Sequence, residues 1–154
     1  MKPFLEEVSE KTIAGMSLRT NNGRESNPET ASIPTMWKNF FEYNVMAAIP
    51  KQINPLVVYA VYYNYESDST GDYDLLIGLQ SGATEKPANL NLVEIKEGKY
   101  LVFKVLEASP DGIKDTWAAI ESFFETDNTY RRAFTTDFEI YQGKSDISIY
   151  IAVK

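Results

Sequence analysis

The chain has 154 residues and a net charge of −7, and its hydrophobic share of 44% is typical of one folded, soluble domain. Such an acidic chain has no basic face for phosphate backbones, so we expect no direct nucleic acid binding. It contains no Cys and no His, which excludes disulfides, thiol nucleophiles, Cys/His zinc sites and His-based triads.

The first half of the sequence predicts a strand, a loop and a helix. Residues 1–10 have no signal-peptide pattern. The strand covers Lys11–Thr20, and the polar segment 21–29 is predicted as a loop. Ser32 can cap the following helix, whose first turn contains Pro34. Apolar residues then recur at helical spacing and form one face: Ile33, Met36, Trp37, Phe40 and Phe41.

A hairpin follows, with strands at 56–66 and 72–80. Alternation along the first strand places three tyrosines on one face, namely Tyr59, Tyr63 and Tyr65. They are consistent with a cross-strand aromatic ladder and equally with the lining of a cavity. The acidic hairpin turn matches no calcium loop, and we predict no metal and no cofactor.

The second half repeats this order of elements. Its strands are predicted at 91–96, 100–106, 135–142 and 146–153. Between them, Ser109 and Pro110 begin a helix with apolar residues at helical spacing. Trp117 follows Trp37 by 80 positions, and Tyr63-x-Tyr65 corresponds to Glu139-x-Tyr141.

The repeated order predicts an α+β fold in which duplicated βαββ units are related by pseudo-twofold symmetry around a central ligand cleft. We assign residues 1–154 to one domain, with one repeat over about 1–81 and the other over about 90–154. Since no run approaches the roughly 18 apolar residues of a membrane span, we expect a cytoplasmic protein without membrane contact.

Three residues are candidates for a ligand site in the seam between the repeats. Trp37 and Trp117 are either core residues or two indole walls that can bind a cation. Glu139 shares a predicted strand face with Asp137 and Tyr141, which is either solvated or turned toward aromatic rings. Rings around a carboxylate raise the cost of its charge and favour a cationic partner.

Motifs along most of the chain resemble the GyrI-like superfamily, the effector-binding domain of AraC-type transcription regulators. The resemblance extends to stand-alone members that are carried on bacterial integron cassettes and bind cationic drugs. It depends on the helix around Met36-Trp37, the hairpin from Val57, the runs 98–103 and 137–141, the helix with Trp117 and the closing strand 146–154.

The resemblance implies a pocket that contains Glu139 and Tyr141 on the penultimate strand. It also implies that Trp37 and some of the first-hairpin tyrosines surround this pocket. The regulators have a helix-turn-helix domain, for which 154 residues leave no room. The complete set of expected ligand-binding residues is Glu139, Tyr141, Trp37, Tyr59, Tyr63, Tyr65, Trp117, Met36 and Phe41.

These observations favour a stand-alone binding module for bulky lipophilic or aromatic organic cations, acting in drug sensing, sequestration or regulation through a partner. Two alternatives stay open. One is a hydrolase that acts on strained electrophilic ligands with Glu139 orienting or deprotonating water. The other is a module that interacts with a topoisomerase or a regulator, and a homodimer is equally compatible with the sequence.

Overall fold

Eight strands and four helices make up residues 2–154, the part of the chain that the computed structural model describes. In chain order they are β1 (Phe4–Val8), β2 (Lys11–Thr20), α1 (Asn22–Glu25), α2 (Ile33–Glu42), α3 (Val45–Ala48), β3 (Val57–Tyr63), β4 (Tyr73–Gln80), β5 (Asn91–Ile95), β6 (Gly98–Lys104), α4 (Pro110–Thr126), β7 (Arg132–Gln142) and β8 (Ile147–Val153). None of the helices in residues 2–154 is long and apolar enough to cross a membrane.

The strands form one curled antiparallel sheet in the order β1-β6-β8-β7-β3-β4-β2-β5. The order reads the same from both ends when β1–β4 are exchanged with β5–β8, which confirms the pseudo-twofold arrangement. The predicted βαββ units are β2-α2-β3-β4 and β6-α4-β7-β8. Each half adds one strand to the far end of the other half, because β1 pairs with β6 and β5 pairs with β2.

Three of these elements differ from the sequence prediction, and one of them is the short helix α3, which was not predicted. The edge strand β1 was not predicted, because its sequence FLEEV is mostly exposed and lacks a clear apolar alternation. The short helix α1 lies in the segment 21–29, which we predicted as a loop. The side chain of Asn21 caps α1 by accepting a hydrogen bond from the backbone N–H of Arg24.

Helices α2 and α4 begin in different ways. The hydroxyl of Ser109 accepts a hydrogen bond from the N–H of Gly112 at 3.0 Å, which confirms the predicted cap of α4. Ser32 makes no side-chain cap on α2. The carboxylate of Glu25 accepts the N–H groups of Ser32 and Ile33 at 3.0 Å instead, so α1 anchors the start of α2.

Strands β3 and β7 meet at the centre of the sheet, where Ala60 lies opposite Glu139. Because side chains alternate along a strand, Val58, Ala60 and Tyr62 share the face of Glu139. Both long helices pack on this face. The apolar cluster beneath α2 includes Met36 and Ala60, and the cluster beneath α4 contains residues of β6 and β8.

The opposite face carries a separate apolar cluster. Tyr59, Val61, Phe138 and Tyr100 belong to it, with further residues from the outer strands β1, β2 and β5. The rings of Phe138 and Tyr150 stack there with centroids 4.5 Å apart. The sheet therefore separates a helix-covered face, which carries Glu139, from a face filled by its own rings and aliphatic residues.

Candidate functional site

Glu139 is a buried carboxylate at the centre of the helix-covered face. Its side chain is 3% exposed. Oε2 accepts hydrogen bonds from Trp117 Nε1 at 2.7 Å and from the Tyr62 hydroxyl at 2.9 Å. Oε1 accepts one from the Tyr141 hydroxyl at 2.5 Å. Three aromatic side chains therefore surround both oxygens with neutral donors.

No Lys or Arg of residues 2–154 balances the charge of Glu139. Among residues 2–154, no Lys or Arg nitrogen lies within 4.0 Å of its oxygens. Burial raises the pKa of the Glu139 carboxyl above its ordinary value, although the hydrogen bonds from Tyr141, Trp117 and Tyr62 oppose the shift. A group in this state gains free energy from a cation that reaches it.

Helix α4 positions Trp117 beside the Glu139 carboxylate. The helix is amphipathic, with Ile120 fully buried against the sheet one turn further on. The indole ring of Trp117 packs edge-on against the ring of Tyr62, with centroids 5.1 Å apart. Trp117 is therefore both a packing residue of the core and a residue of the Glu139 site, the two roles that the sequence left open.

Helix α2 supplies the other side of the site. The half-buried ring of Trp37 packs edge-on against Tyr141, with centroids 5.0 Å apart. Phe41 is 59% exposed and stacks on Trp37. Met36, by contrast, lies in the core beneath α2 with Phe40. Of the three expected residues on this helix, Trp37 makes a ring contact with Tyr141, a partner of Glu139, and Met36 belongs to the cluster against which Tyr141 also packs.

The predicted correspondence between Tyr63 and Glu139 is wrong. The register of β3 on β7 places Ala60 opposite Glu139, so Tyr59 and Tyr63 face the other side of the sheet. Both tyrosines pack in the cluster of that face. The β3 residues on the face of Glu139 are the even-numbered ones, Val58, Ala60 and Tyr62. The sequence pattern pointed instead to the odd-numbered tyrosines.

Tyr65 lies past the end of β3 and turns back toward the helix-covered face. Asn64 adopts a left-handed conformation with φ of 49°, which breaks the alternation that would pair Tyr65 with Tyr63. The Tyr65 hydroxyl donates a 2.5 Å hydrogen bond to Asp137. Asp137 also forms an ion pair with Arg132 at 2.7 Å.

Sequence reasoning missed Tyr62 and Tyr73. Tyr62 donates to Glu139, and Tyr73 packs against Tyr62 with ring centroids 5.4 Å apart. Burial raises the pKa of Tyr62 well above its ordinary value, and the nearby charge of Glu139 raises it further. The signal that could have identified Tyr62 is the register between β3 and β7, which places even-numbered β3 residues, and so Tyr62 rather than Tyr63, on the face of Glu139.

Glu139 is almost fully shielded from solvent in this structure. A surface cavity of about 450 Å³ lies near Arg132 and Glu121, but Glu139 does not line it. Because Glu139 is buried, a ligand must displace some of the surrounding side chains to reach it, and on the α2 side Phe41 is exposed while Trp37 is half-buried. Within residues 2–154, no group of side chains is arranged to hold a metal ion.

Comparison with known proteins gives a consistent result. The model of the Cass2 family, described as integron-associated effector binding protein, matches residues 5–153. A Bacillus subtilis (strain 168) protein named Putative transcriptional regulator protein YobU is 27% identical over 152 residues, which cover 94% of this chain and 92% of that protein.

Two solved structures have the same fold. The integron cassette protein VCH_CASS2, from the mobile metagenome of Vibrio cholerae, superimposes with a TM-score of 0.82 and 29% identity, over 99% of this chain and 95% of that one. The protein SAV2435, solved with tetraphenylphosphonium bound, gives a TM-score of 0.80 and 20% identity, over 100% of this chain and 94% of that one.

Proposed function

Because this chain belongs to the Cass2 family of integron-associated effector binding proteins, we propose that its effector is a bulky aromatic organic cation held against Glu139. The observation that carries the proposal is the buried carboxylate of Glu139, which has no Lys or Arg partner in the described part of the chain, residues 2–154. Its three hydrogen-bond donors are neutral, so they orient the charge without cancelling it. A ligand that brings a positive charge completes the site.

The rings around Glu139 favour a particular class of cation. A small, strongly hydrated ion would lose its water and gain only one carboxylate at a site lined by apolar surface. A delocalised organic cation loses little hydration and gains contact with Trp117, Trp37 and Tyr141. Each such cation–π contact contributes about 0.5 to 2 kcal/mol, with the larger values at desolvated rings.

A solved protein of the same fold supports this choice. SAV2435 binds tetraphenylphosphonium, a lipophilic monocation without hydrogen-bond donors. Charge and ring contact are the means by which a protein can recognise such a ligand. Glu139 and the surrounding rings provide both in this chain, which makes tetraphenylphosphonium a suitable first probe.

The proposal can be tested with two ions of the same shape and opposite charge. Tetraphenylphosphonium and tetraphenylborate are titrated calorimetrically into the protein at neutral pH. We expect the cation to bind and the anion to bind at least tenfold more weakly. Glu139→Gln should weaken binding of the cation by about tenfold or more, since an ionic hydrogen-bonded contact contributes about 1.5 to 3 kcal/mol.

A matched control separates the site from the general acidity of the chain. Glu94 is exposed on the edge strand β5, and Glu94→Gln changes the net charge by the same amount. This variant should bind tetraphenylphosphonium like the wild type. Equal binding of the two ions, or an unchanged affinity in Glu139→Gln, would remove the carboxylate from the mechanism.

We propose that the bound chain acts in drug sensing or sequestration, or signals through a separate partner. The net charge of −7 opposes direct contact with a phosphate backbone. A DNA mobility-shift assay with and without tetraphenylphosphonium tests this part. Retention of DNA by the isolated chain would replace the partner model with direct regulation.

A further inference from the structure

A second buried carboxylate lies beside Glu139. Asp137 is fully buried, and it precedes Glu139 by two residues on the same strand face. The rise of a strand places the two side chains roughly 7 Å apart. The charge that a ligand meets therefore depends on both carboxylates.

Unlike Glu139, Asp137 has its counter-ion built into the fold. Arg132 Nη2 lies 2.7 Å from its Oδ2, which also accepts the hydroxyl of Tyr65. The other oxygen accepts the backbone N–H of Ala152 at 2.9 Å. Asp137 and Arg132 together form a neutral, hydrogen-bonded unit at the edge of the Glu139 site.

Arg132 is held firmly in this role. Its side chain is 7% exposed, and its guanidinium lies 4.4 Å from the ring centroid of Phe134. Nη1 pairs with Glu121 on α4 at 3.1 Å, but the Glu121 side chain is 42% exposed, so solvent screens its charge, whereas Asp137 is fully buried and depends on Arg132 as its counter-ion. Burial is the largest single influence and lowers the pKa of Arg132, but the charge and hydrogen bond of Asp137, together with Tyr65 and Glu121, outweigh it, so the pKa is raised overall and the guanidinium stays protonated.

The chain conformation that brings Arg132 back to Asp137 is an irregular part of β7. The pairing of β7 with β8 shifts between Arg132 and Asp137, as in a β-bulge. Phe134, inside this segment, has a left-handed φ of 54°. Such a conformation is unfavourable for a phenylalanine, so the surrounding contacts hold it in place.

We propose that the Arg132–Asp137 pair sets the charge that the site accepts, leaving Glu139 as a single negative charge that selects aromatic monocations over dications. This inference rests on the proposed binding of cations at Glu139. The first positive charge of a ligand pairs with Glu139. A second charge within about 7 Å meets a carboxylate whose charge Arg132 already balances, and it loses hydration without a partner.

Two single variants change this charge balance in opposite directions, and a double variant restores it. Arg132→Gln frees a negative charge at Asp137, and Asp137→Asn frees a positive charge at Arg132. The double variant Arg132→Gln/Asp137→Asn restores neutrality. We expect tetraphenylphosphonium to bind most tightly to Arg132→Gln, equally to wild type and the double variant, and most weakly to Asp137→Asn, with steps of roughly tenfold at this separation.

Two matched controls carry the same charge changes at exposed positions. They are Arg131→Gln, next to Arg132 in the chain, and Asp115→Asn on the solvent side of α4. Both should bind like the wild type. A purely structural pair predicts a different pattern, because both single variants would then weaken binding. That pattern, or equal affinities throughout the series, would overturn the inference.

The second measurement compares ligands that differ by one charge. N-methyl-4,4′-bipyridinium and its N,N′-dimethyl dication compete against bound tetraphenylphosphonium. Wild type should prefer the monocation by about tenfold or more, and Arg132→Gln should reduce or reverse this preference. A wild type that prefers the dication overturns the inference, even if no variant folds as judged by circular dichroism.

Failure of this inference is distinguishable from failure of the proposed function. If Glu139→Gln weakens binding of tetraphenylphosphonium while the Arg132 and Asp137 series is flat, the cation site stands and the charge-setting pair does not. If Glu139→Gln has no effect, both proposals fail.

Discussion

The hydroxyl of Tyr62 lies 2.9 Å from Oε2 of Glu139, and this hydrogen bond joins the two halves of the chain. Tyr62 comes from β3 and Glu139 from β7, the strands that meet at the centre of the sheet. Neither half alone can form the site, because the carboxylate comes from one repeat and one of its three donors from the other. The seam between the repeats is thus where the buried carboxylate of Glu139 meets its hydrogen-bond donors.

Binding of an organic cation should weaken on acidification. The cation pairs with ionised Glu139, and burial raises the pKa of that carboxyl above the ordinary glutamate value. The affinity for tetraphenylphosphonium, measured by calorimetry or by Trp fluorescence, should therefore begin to fall at a higher pH than exposed carboxylates would produce. Below that midpoint we expect a tenfold loss for each pH unit, since one proton competes with one cation.

The control for this titration is Glu139→Gln, which has no titrating group at the site. Its weak residual affinity should not change across the same pH range. A wild-type affinity that stays constant down to the ordinary glutamate pKa would show that Glu139 is not the group that pairs with the ligand.

Neighbouring tyrosines on opposite faces of β3 provide a second prediction. The hydrogen bond from Tyr62 lowers the pKa of Glu139. Removing it in Tyr62→Phe should therefore move the pH midpoint of cation binding upward. Tyr63→Phe removes the hydroxyl of the next residue, which lies on the face that does not carry Glu139. This variant should leave the pH midpoint of binding unchanged.

This pair tests the observed register directly. Circular dichroism establishes that both variants fold, and the pH titration of tetraphenylphosphonium binding compares them. If Tyr63→Phe moves the midpoint and Tyr62→Phe does not, the tyrosine that contacts Glu139 has been assigned to the wrong face.

Much of this fold could be predicted from local sequence patterns. Pro110 after Ser109 fixes the start of α4, and the helical spacing that contains Trp37 identifies α2. The family model confirms the resemblance to integron-associated effector binding proteins. The motif around Glu139 and Tyr141 was also informative, because alternation along one strand places both side chains on the same face.

The partners of Glu139 were harder to predict, because they depend on pairing between distant strands. A register slip of one residue reverses every side chain, and nothing local distinguishes Tyr62 from Tyr63. The left-handed turn at Asn64, which redirects Tyr65, is equally invisible to a simple alternation rule. Arg132 lacked a helical or strand pattern linking it to Asp137, since the irregular start of β7 brings them together.

Stability and binding should respond in opposite directions to Glu139→Gln. Because burial raises the pKa of Glu139, the folded chain holds this proton more tightly than the unfolded chain. The stabilisation is present at low pH and is lost as pH rises from the unfolded pKa through the folded pKa. At pH 7 the ionised Glu139 therefore lowers the free energy of unfolding of the wild type. Each unit by which the folded pKa exceeds the unfolded pKa corresponds to about 1.4 kcal/mol.

Glutamine removes the charge and keeps an oxygen that can accept the surrounding donors. We expect Glu139→Gln to raise the free energy of unfolding at pH 7 without ligand, measured by urea denaturation. The difference should shrink toward pH 4. A variant that is less stable at pH 7 would mean that Glu139 serves the fold rather than a ligand.

The hydrogen bonds at Glu139 also bear on the alternative of hydrolysis. A general base needs a free lone pair directed at a water molecule. Three donors occupy three of the roughly four acceptor positions of the Glu139 carboxylate, and a bound cation would lower its basicity further. We therefore expect an aromatic cation that carries an activated ester to be recovered intact after incubation, with the same mass and the buffer rate of decay. Mass spectrometry measures this for the wild type and for Glu139→Gln. Faster ester cleavage by the wild type than by Glu139→Gln would identify an enzyme, because binding alone does not change the mass of the ligand.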